Sequence, residues 1–448
     1  MASTINGKKT LKGNVGDHMI FDKSILKRIR AEFPRAASDA RGRRRAFMDN
    51  GTGTLVVGRA ARAEAAARVD CSANVEAIFH ESKDAEATIL EGRKAVAELL
   101  NAPSHDTIVS GESATSLFFS LSYAIARDFT GKENVVTTDY EHYANLSPWI
   151  ELQKRGVISE VRFARLNKTD GTLDLDHLKS LVDDKTKVVT VTAASNALGT
   201  KTKLDEVRKI ARAANAYFLV DAVHHVAHGP LDVQAIDCDF LVFSGYKIFS
   251  SHGSFLYGKE HLLKTLKPYK VAPAPNEPPH NWEWGTRDQA KFAGIKGVTD
   301  HLVWLAGQID TKQKRDVKVQ SDRARVLKVA MHAIEEYGRE LSKAVLEGQG
   351  NAPGLLQMRH VKLYGPAEPK RLEERDPTFS FKLQNMSDQA VVEHLWTKHG
   401  IALRADNFYS RVPEVYDVPT MIRISLVHYN TPEEVGRLLK GLEELDQP

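Results

Sequence analysis

Between about residues 105 and 245 the sequence alternates short β-rich runs with stretches of helical periodicity, the pattern of crossover units that feed a parallel sheet. The runs are 106–110, 134–138, 157–164, 187–193, 217–221 and 240–244. The intervening stretches 115–128, 173–183 and 204–214 place apolar residues three or four apart. Parallel neighbours need such crossovers, because a tight hairpin can only join antiparallel strands. The alternation therefore predicts an α/β domain on a mainly parallel sheet.

After residue 300 the character changes. Residues 303–346 read as helix, broken near Gln308, with a charged face. From Gly354 onward, strand-like runs (378–383 and 420–427) mix with helices (388–399 and 432–445), which predicts a second, smaller α+β domain. The expected division is an N-terminal segment 1–45 packing with the small domain, a large α/β domain 46–305, and a connecting helix with the small domain over 306–448. Four prolines in Pro273–Pro279 mark an irregular loop, and no internal repeat is present.

Composition narrows the function classes. With 448 residues, 42% of them hydrophobic, the protein is able to bury a large core. Its 62 basic and 58 acidic residues give a formal charge of +4, too balanced for a nucleic-acid coat or a strongly basic membrane binder. Neither nucleic acid nor membrane is expected as a partner, and the run Arg41–Arg45 reads as a solvated face. Only Cys71 and Cys238 occur, which excludes a disulfide framework and a cysteine-rich zinc site. Met1–Ile20 lacks the apolar core of a secretory signal, and no window approaches about 20 uninterrupted apolar residues. A soluble, cytoplasmic protein is expected.

The chemistry concentrates in Tyr217–Gly258. Asp221 ends one apolar run, and Lys247 follows the next. In a parallel sheet both reach the carboxyl ends of strands, where ligands of open α/β sheets bind. An acid and a lysine so placed match the needs of pyridoxal 5'-phosphate: the lysine forms a Schiff base, and the carboxylate keeps the pyridine nitrogen protonated. Ser110–Thr115 (SGESAT) leaves a strand and opens a helix, so amides, hydroxyls and the helix dipole can converge on a phosphate. His224 and His228 are four apart, as on a zinc-binding helix, but Gly229 and Pro230 break a helix there and no glutamate lies between them. No metal site is expected, and His225, His228 and His252 read as structural.

These residues sit in FMDNGTGTLV, TTDYEHYANLSPW, TAASNALGT, VDAVHHVAHGPLDVQ, FSGYKIFSSHGSFLYG, WEWGT and IRISLVHYNTPEEV. In order and spacing they resemble the pyridoxal-phosphate enzymes of the class V aminotransferase family, cysteine-desulfurase-like subgroup, from about Phe47 to Leu442. The resemblance implies fold type I, the aspartate-aminotransferase-like α/β architecture with a large mainly parallel-sheet domain and a smaller α+β domain. It implies that Lys247 binds the cofactor covalently, Asp221 partners the pyridine nitrogen and His142 stacks on the ring. Asn196 resembles the amide that contacts the ring hydroxyl, with His224 where desulfurases commonly carry glutamine. Ala114, Thr115, Ser244 and Tyr246 resemble the phosphate-binding set, Tyr246 replacing a frequent histidine. Thr286 matches a residue that reaches the phosphate of a neighbouring subunit, which implies a homodimer. Arg423 matches the arginine that holds the substrate α-carboxylate, and Arg404 and Asn50 are further pocket candidates.

One departure shapes the expected reaction. Many desulfurases carry a reactive cysteine on a loop whose counterpart here is RADNFYSR, with Tyr409 at the cysteine position. Neither of the two cysteines lies there, and Cys238 reads as a core residue entering a strand. The leading expectation is a lyase that acts on a small amino acid, cleaving a carbon–sulfur or carbon–carbon bond beyond its α-carbon without a cysteine nucleophile. An aminotransferase or epimerase is the first alternative, and a decarboxylative or aldol-type enzyme forming a carbon–carbon bond is the second. A non-catalytic scaffold is disfavoured, because Lys247 and Asp221 are both present. Phe79, Trp284, Asn407 and Tyr409 are the loop residues expected to bear on substrate choice, while Trp282 suits an interface or the core.

Overall fold

The computed structural model describes residues 19–309 and 321–446. Its centre is a seven-stranded sheet in the order 108–111, 254–258, 240–244, 217–221, 186–192, 134–138, 160–164. All neighbours from 240–244 to 160–164 are parallel, whereas 254–258 runs antiparallel to both strands beside it. Strands Asn134–Thr138, Tyr217–Asp221 and Phe240–Ser244 span the runs read from the sequence. Each is buried at almost every position, as continuous apolar runs of a sheet covered on both faces should be.

Several boundaries differ from the sequence reading, each for a local reason. The first strand starts at Ile108, because Ser104 caps a 3-10 turn over His105–Thr107. The helix expected over 173–183 is Leu175–Leu181, since the Asp174 carboxylate caps its start by accepting from the His177 amide. The run 157–164 contributes strand only from Glu160. Strand Ser254–Gly258 was not foreseen, because it runs antiparallel to its neighbour with no crossover helix between them and so falls outside the alternation that marks the parallel strands. The helix placed at 303–346 begins much earlier, at Gln289, capped by Asp288, and its first segment ends at Gly307. Its residues are buried nearly all round, so it lacks the polar face that marks a surface helix. It packs on the helices Gly58–Asp70 and His80–Leu99 at glycine-sized gaps: a Cβ on Gly92 would stand 2.4 Å from the Phe292 carbonyl oxygen. The second segment is Asp322–Glu347. The stretch between them, 310–320, and most of the segment Met1–Ile20 lie outside the described residues.

A smaller, antiparallel sheet follows in the order 361–364, 378–383, 421–425, 404–406. Within it Arg404 and Arg423 are direct register partners. The short strand Ala46–Phe47 pairs in parallel with Ile401–Ala402, and Asp49 bridges to Ser425. This pairing brings the stretch at 46–52 against the last strand of the small sheet. Further upstream, Arg30 joins Glu434 and the Tyr429 carbonyl, and Phe21 packs on Tyr337. Arg43 lies 4.1 Å over the Trp396 ring, so one cation of the exposed arginine run is engaged inside the molecule. Among the described residues no helix is long and apolar enough to cross a membrane.

Candidate active site

The carboxyl ends of the parallel strands converge on one cavity lined by Ala114, Thr115, His142, Asn196, Asp221, His224, Ser244, Tyr246 and Lys247. It opens into a second cavity bordered by Gly51, Thr52, Arg404, Asp406, Phe408, Tyr409 and Arg423. Of the seventeen residues singled out from the sequence for the cofactor, the substrate or its choice, twelve border these two spaces; Thr286, Asn50, Phe79, Trp284 and Asn407 do not.

Asp221 and Lys247 follow adjacent strands, which sets their side chains on one rim of the sheet. Lys247 is 8% exposed, and its Nζ donates to the Gly51 carbonyl. Burial, aided by the Arg423 cation, lowers its pKa to about 7. Burial lifts the Asp221 carboxyl to about 6, opposed by the Val223 amide it accepts from and by Lys247. His142 caps the helix Tyr143–Lys154, its Nδ1 accepting from the Ala144 amide at 3.0 Å, so Nε2 carries the proton of the neutral ring. Burial and the Lys247 and Arg423 charges push its pKa down to about 4. His224 is likewise held neutral by burial, with Nε2 3.1 Å from the Thr378 hydroxyl.

At the other end of the cavity the helix Ala114–Ile125 begins with a capping box between Ser113 and Ser116. Such an end leaves first-turn N–H groups, here those of Ala114 and Thr115, facing outward with the positive end of the helix dipole. Ser244 and Ser254 hydroxyls lie 2.8 Å apart, and the Tyr246 ring stacks on His252 at 5.1 Å. Asn196 donates from Nδ2 to the Phe408 carbonyl at 2.9 Å, while its Oδ1 is buried without a partner.

Arg423 is 1% exposed and heavily engaged: Nη1 donates to the Asn196 carbonyl, and Nη2 donates to the Thr52 hydroxyl and to Asp49. Its guanidinium lies 4.2 Å over the Phe408 ring. Gly51 is required beneath it, since a Cβ there would meet the guanidinium carbon at 2.7 Å. Tyr409 is 68% exposed at the mouth and stacks at 6.1 Å on His142.

Asn50 is not a pocket residue. Its Nδ2 donates to the Ser425 carbonyl, Asn430 and the Phe47 carbonyl, and its Oδ1 accepts from Tyr429, so its polar atoms are consumed within the core. The neighbours Gly51 and Thr52 border the cavity in its place, and Asp49 lies behind them on Arg423; all three are in the same motif, FMDNGTGTLV. Thr286 is exposed and borders a separate pocket with Trp284 and Arg287. Trp282 is a core residue donating to the Leu263 carbonyl, Trp284 is exposed, and Phe79 stands at the start of the helix His80–Leu99. His224 and His228 come together without a helix, through a 3-10 turn, with ring centroids 4.8 Å apart and Asp376 beside them. Both oxygens of Asp376 already accept from His225.

The sequence matches the family model for aminotransferase class-V over residues 46–438. It is 30% identical to the cysteine desulfurase of Serratia proteamaculans over 94% of this protein and 98% of that one, and 32% identical to that of Pectobacterium atrosepticum with the same coverage. Among solved structures, the apo cysteine desulfurase of Thermococcus onnurineus NA1 superposes with a TM-score of 0.79 at 23% identity, covering 94% of this protein and 97% of that one. The Escherichia coli cysteine desulfurase CsdA gives 0.75 at 23% identity, covering 94% and 98%. At that identity the structural likeness speaks to the fold.

Proposed function

The protein belongs to the class-V aminotransferase family and is a pyridoxal 5'-phosphate enzyme of fold type I, and from that premise we propose that it is a lyase acting on a small amino acid, cleaving a carbon–sulfur or carbon–carbon bond beyond the α-carbon without a cysteine nucleophile. The observation that carries the reading is the mouth of the site. Phe408 and Tyr409 occupy the loop there, both in left-handed backbone conformations with φ of 57° and 50°. Both cysteines are elsewhere: Cys71 ends the helix Gly58–Asp70, and Cys238 is fully buried with its thiol pushed up by that burial.

The residues present fit the cofactor. Asn196 lines the cavity and its Oδ1 is buried without a partner, an acceptor that a ring hydroxyl would satisfy, with the neutral His224 lining the same cavity. Asp221 would hold the pyridine nitrogen, His142 the ring, and Ala114, Thr115, Ser244 and Tyr246 the phosphate. When bound, pyridoxal phosphate supplies an electron sink for bond cleavage at the substrate's α- and β-carbons. Lys247 anchors it and, once free, moves the proton at the substrate α-carbon, a task suited to an amine that is half neutral near pH 7. Arg423 clamps the α-carboxylate and thereby orients the bond to be broken. Tyr409 and Phe408 narrow the mouth and exclude water. Thr286, exposed and away from its own cavity, serves the neighbouring site of a homodimer.

The test is the absorption spectrum of purified wild type and of Lys247→Ala, followed by titration of wild type with amino acids. Wild type is expected to show a band at about 420 nm, characteristic of lysine-bound pyridoxal phosphate, which the variant lacks. A band that recovers after turnover, with release of sulfide, sulfite or pyruvate, supports the lyase and names its bond. Conversion to pyridoxamine phosphate in a single half-reaction would replace it with a transaminase.

A further inference from the structure

Arg404 and Arg423 stand directly opposite each other on neighbouring antiparallel strands at the mouth of the site. Like charges in that relation repel, and burial of Arg423 leaves little solvent to screen them. Asp49 lies between them. Its Oδ2 accepts from Arg404 Nε at 3.1 Å, and its Oδ1 accepts from Arg423 Nη2 at 3.3 Å and from the Thr52 hydroxyl at 2.7 Å. The carboxylate is 9% exposed and fixed from behind, where the Asp49 carbonyl accepts from the Thr52 amide and the backbone bridges to Ser425. Asp406 adds a second carboxylate, 3.9 Å from Arg404. Two cations thus face two anions around the carboxylate-binding surface.

We propose that Asp49 is a specificity-determining and positioning residue: by pairing Arg423 with Arg404 it sets the charge of this surface, so that the site accepts an amino acid bearing one carboxylate and rejects one bearing two. The inference rests on the reading of the cavity as an amino-acid site. An α-carboxylate on Arg423 leaves the surface with one negative charge in excess. An uncharged substituent is indifferent to that excess, whereas a second carboxylate is repelled at low dielectric.

The test is equilibrium binding of L-alanine and L-aspartate to the cofactor-loaded protein, read from the shift of its visible band, in wild type, Asp49→Asn and Asp49→Glu. Wild type is expected to bind alanine at least tenfold more tightly than aspartate. Asp49→Asn should shrink that ratio at least tenfold, and Asp49→Glu should restore most of it. Should Asp49→Asn not fold, Arg404→Gln serves instead, and removing that cation should widen the preference for alanine. Equal affinities in wild type, or an equal loss for both amino acids in Asp49→Asn, would overturn the proposal and leave Asp49 a structural residue. If neither these nor any other amino acid shifts the band, the amino-acid reading falls and the inference with it.

Discussion

Lys247 carries the sharpest prediction at the scale of single residues. A buried amine with a pKa near 7 rather than 10.5 is half neutral at pH 7 and mostly neutral above it. Only the neutral amine attacks a carbonyl, so cofactor loading of the apoprotein should accelerate about tenfold per pH unit below about 7 and flatten above it. Stopped-flow growth of the visible band between pH 6 and 9 measures this, and a rate still climbing at pH 9 contradicts it. Arg93 makes a different prediction. It forms a buried ion pair with Glu283, which also accepts from the amide and hydroxyl of Ser110. Arg93→Ala leaves that buried carboxylate the Ser110 donors and only the more distant Arg287, 3.5 Å away, and should destabilise the fold by about 3 kcal/mol in urea denaturation. Asp221 and Lys247 were legible in the sequence because each closes an apolar run, a position that fixes where the next side chain emerges. Asp49 was not. Its partners Arg404 and Arg423 lie 355 and 374 residues away, and nothing in DNG encodes which of its polar side chains meets them.

Elements that kept the alternation of β-rich run and crossover helix announced themselves, and those outside it did not. The amphipathic helix 204–213 follows its pattern to within a residue. Strand 254–258 follows its antiparallel neighbour without a crossover helix, and the first part of helix 289–307 offered no periodicity to read, since apolar and small residues surround it. For the same reason helix 289–307 is intolerant of added volume. Gly92→Ala, on the helix facing it, should force the pair apart, cost about 1–3 kcal/mol and lower the thermal midpoint. Ser113→Ala removes the capping box of helix 114–125 and should cost about 1 kcal/mol. Because that helix end also faces the cavity, the same variant should weaken phosphate retention, seen as faster cofactor loss on dialysis. A stable variant that holds cofactor as tightly as wild type would separate the cap from the cradle.

For the whole molecule, the site draws on three stretches far apart in sequence: 46–52, the strand ends of the large sheet, and the small sheet. Strand alternation and family motifs made the two layers legible, but the partnership of the first stretch with the last strand depends on tertiary pairing that no local pattern encodes. If Thr286 serves a neighbouring site, light scattering should give about twice the 49.8 kDa mass of one protomer. Thr286→Ala should then lower cofactor retention while the dimer persists. The contact between Asp49 and Arg423 joins residues 374 apart. During synthesis, therefore, the Asp49–Arg423 contact does not exist until the strand 421–425 has emerged. Closing so long a loop is slow. A nascent polypeptide that ends before Arg423 holds the strand ends of the large sheet but not the arginine on the rim of their cavity.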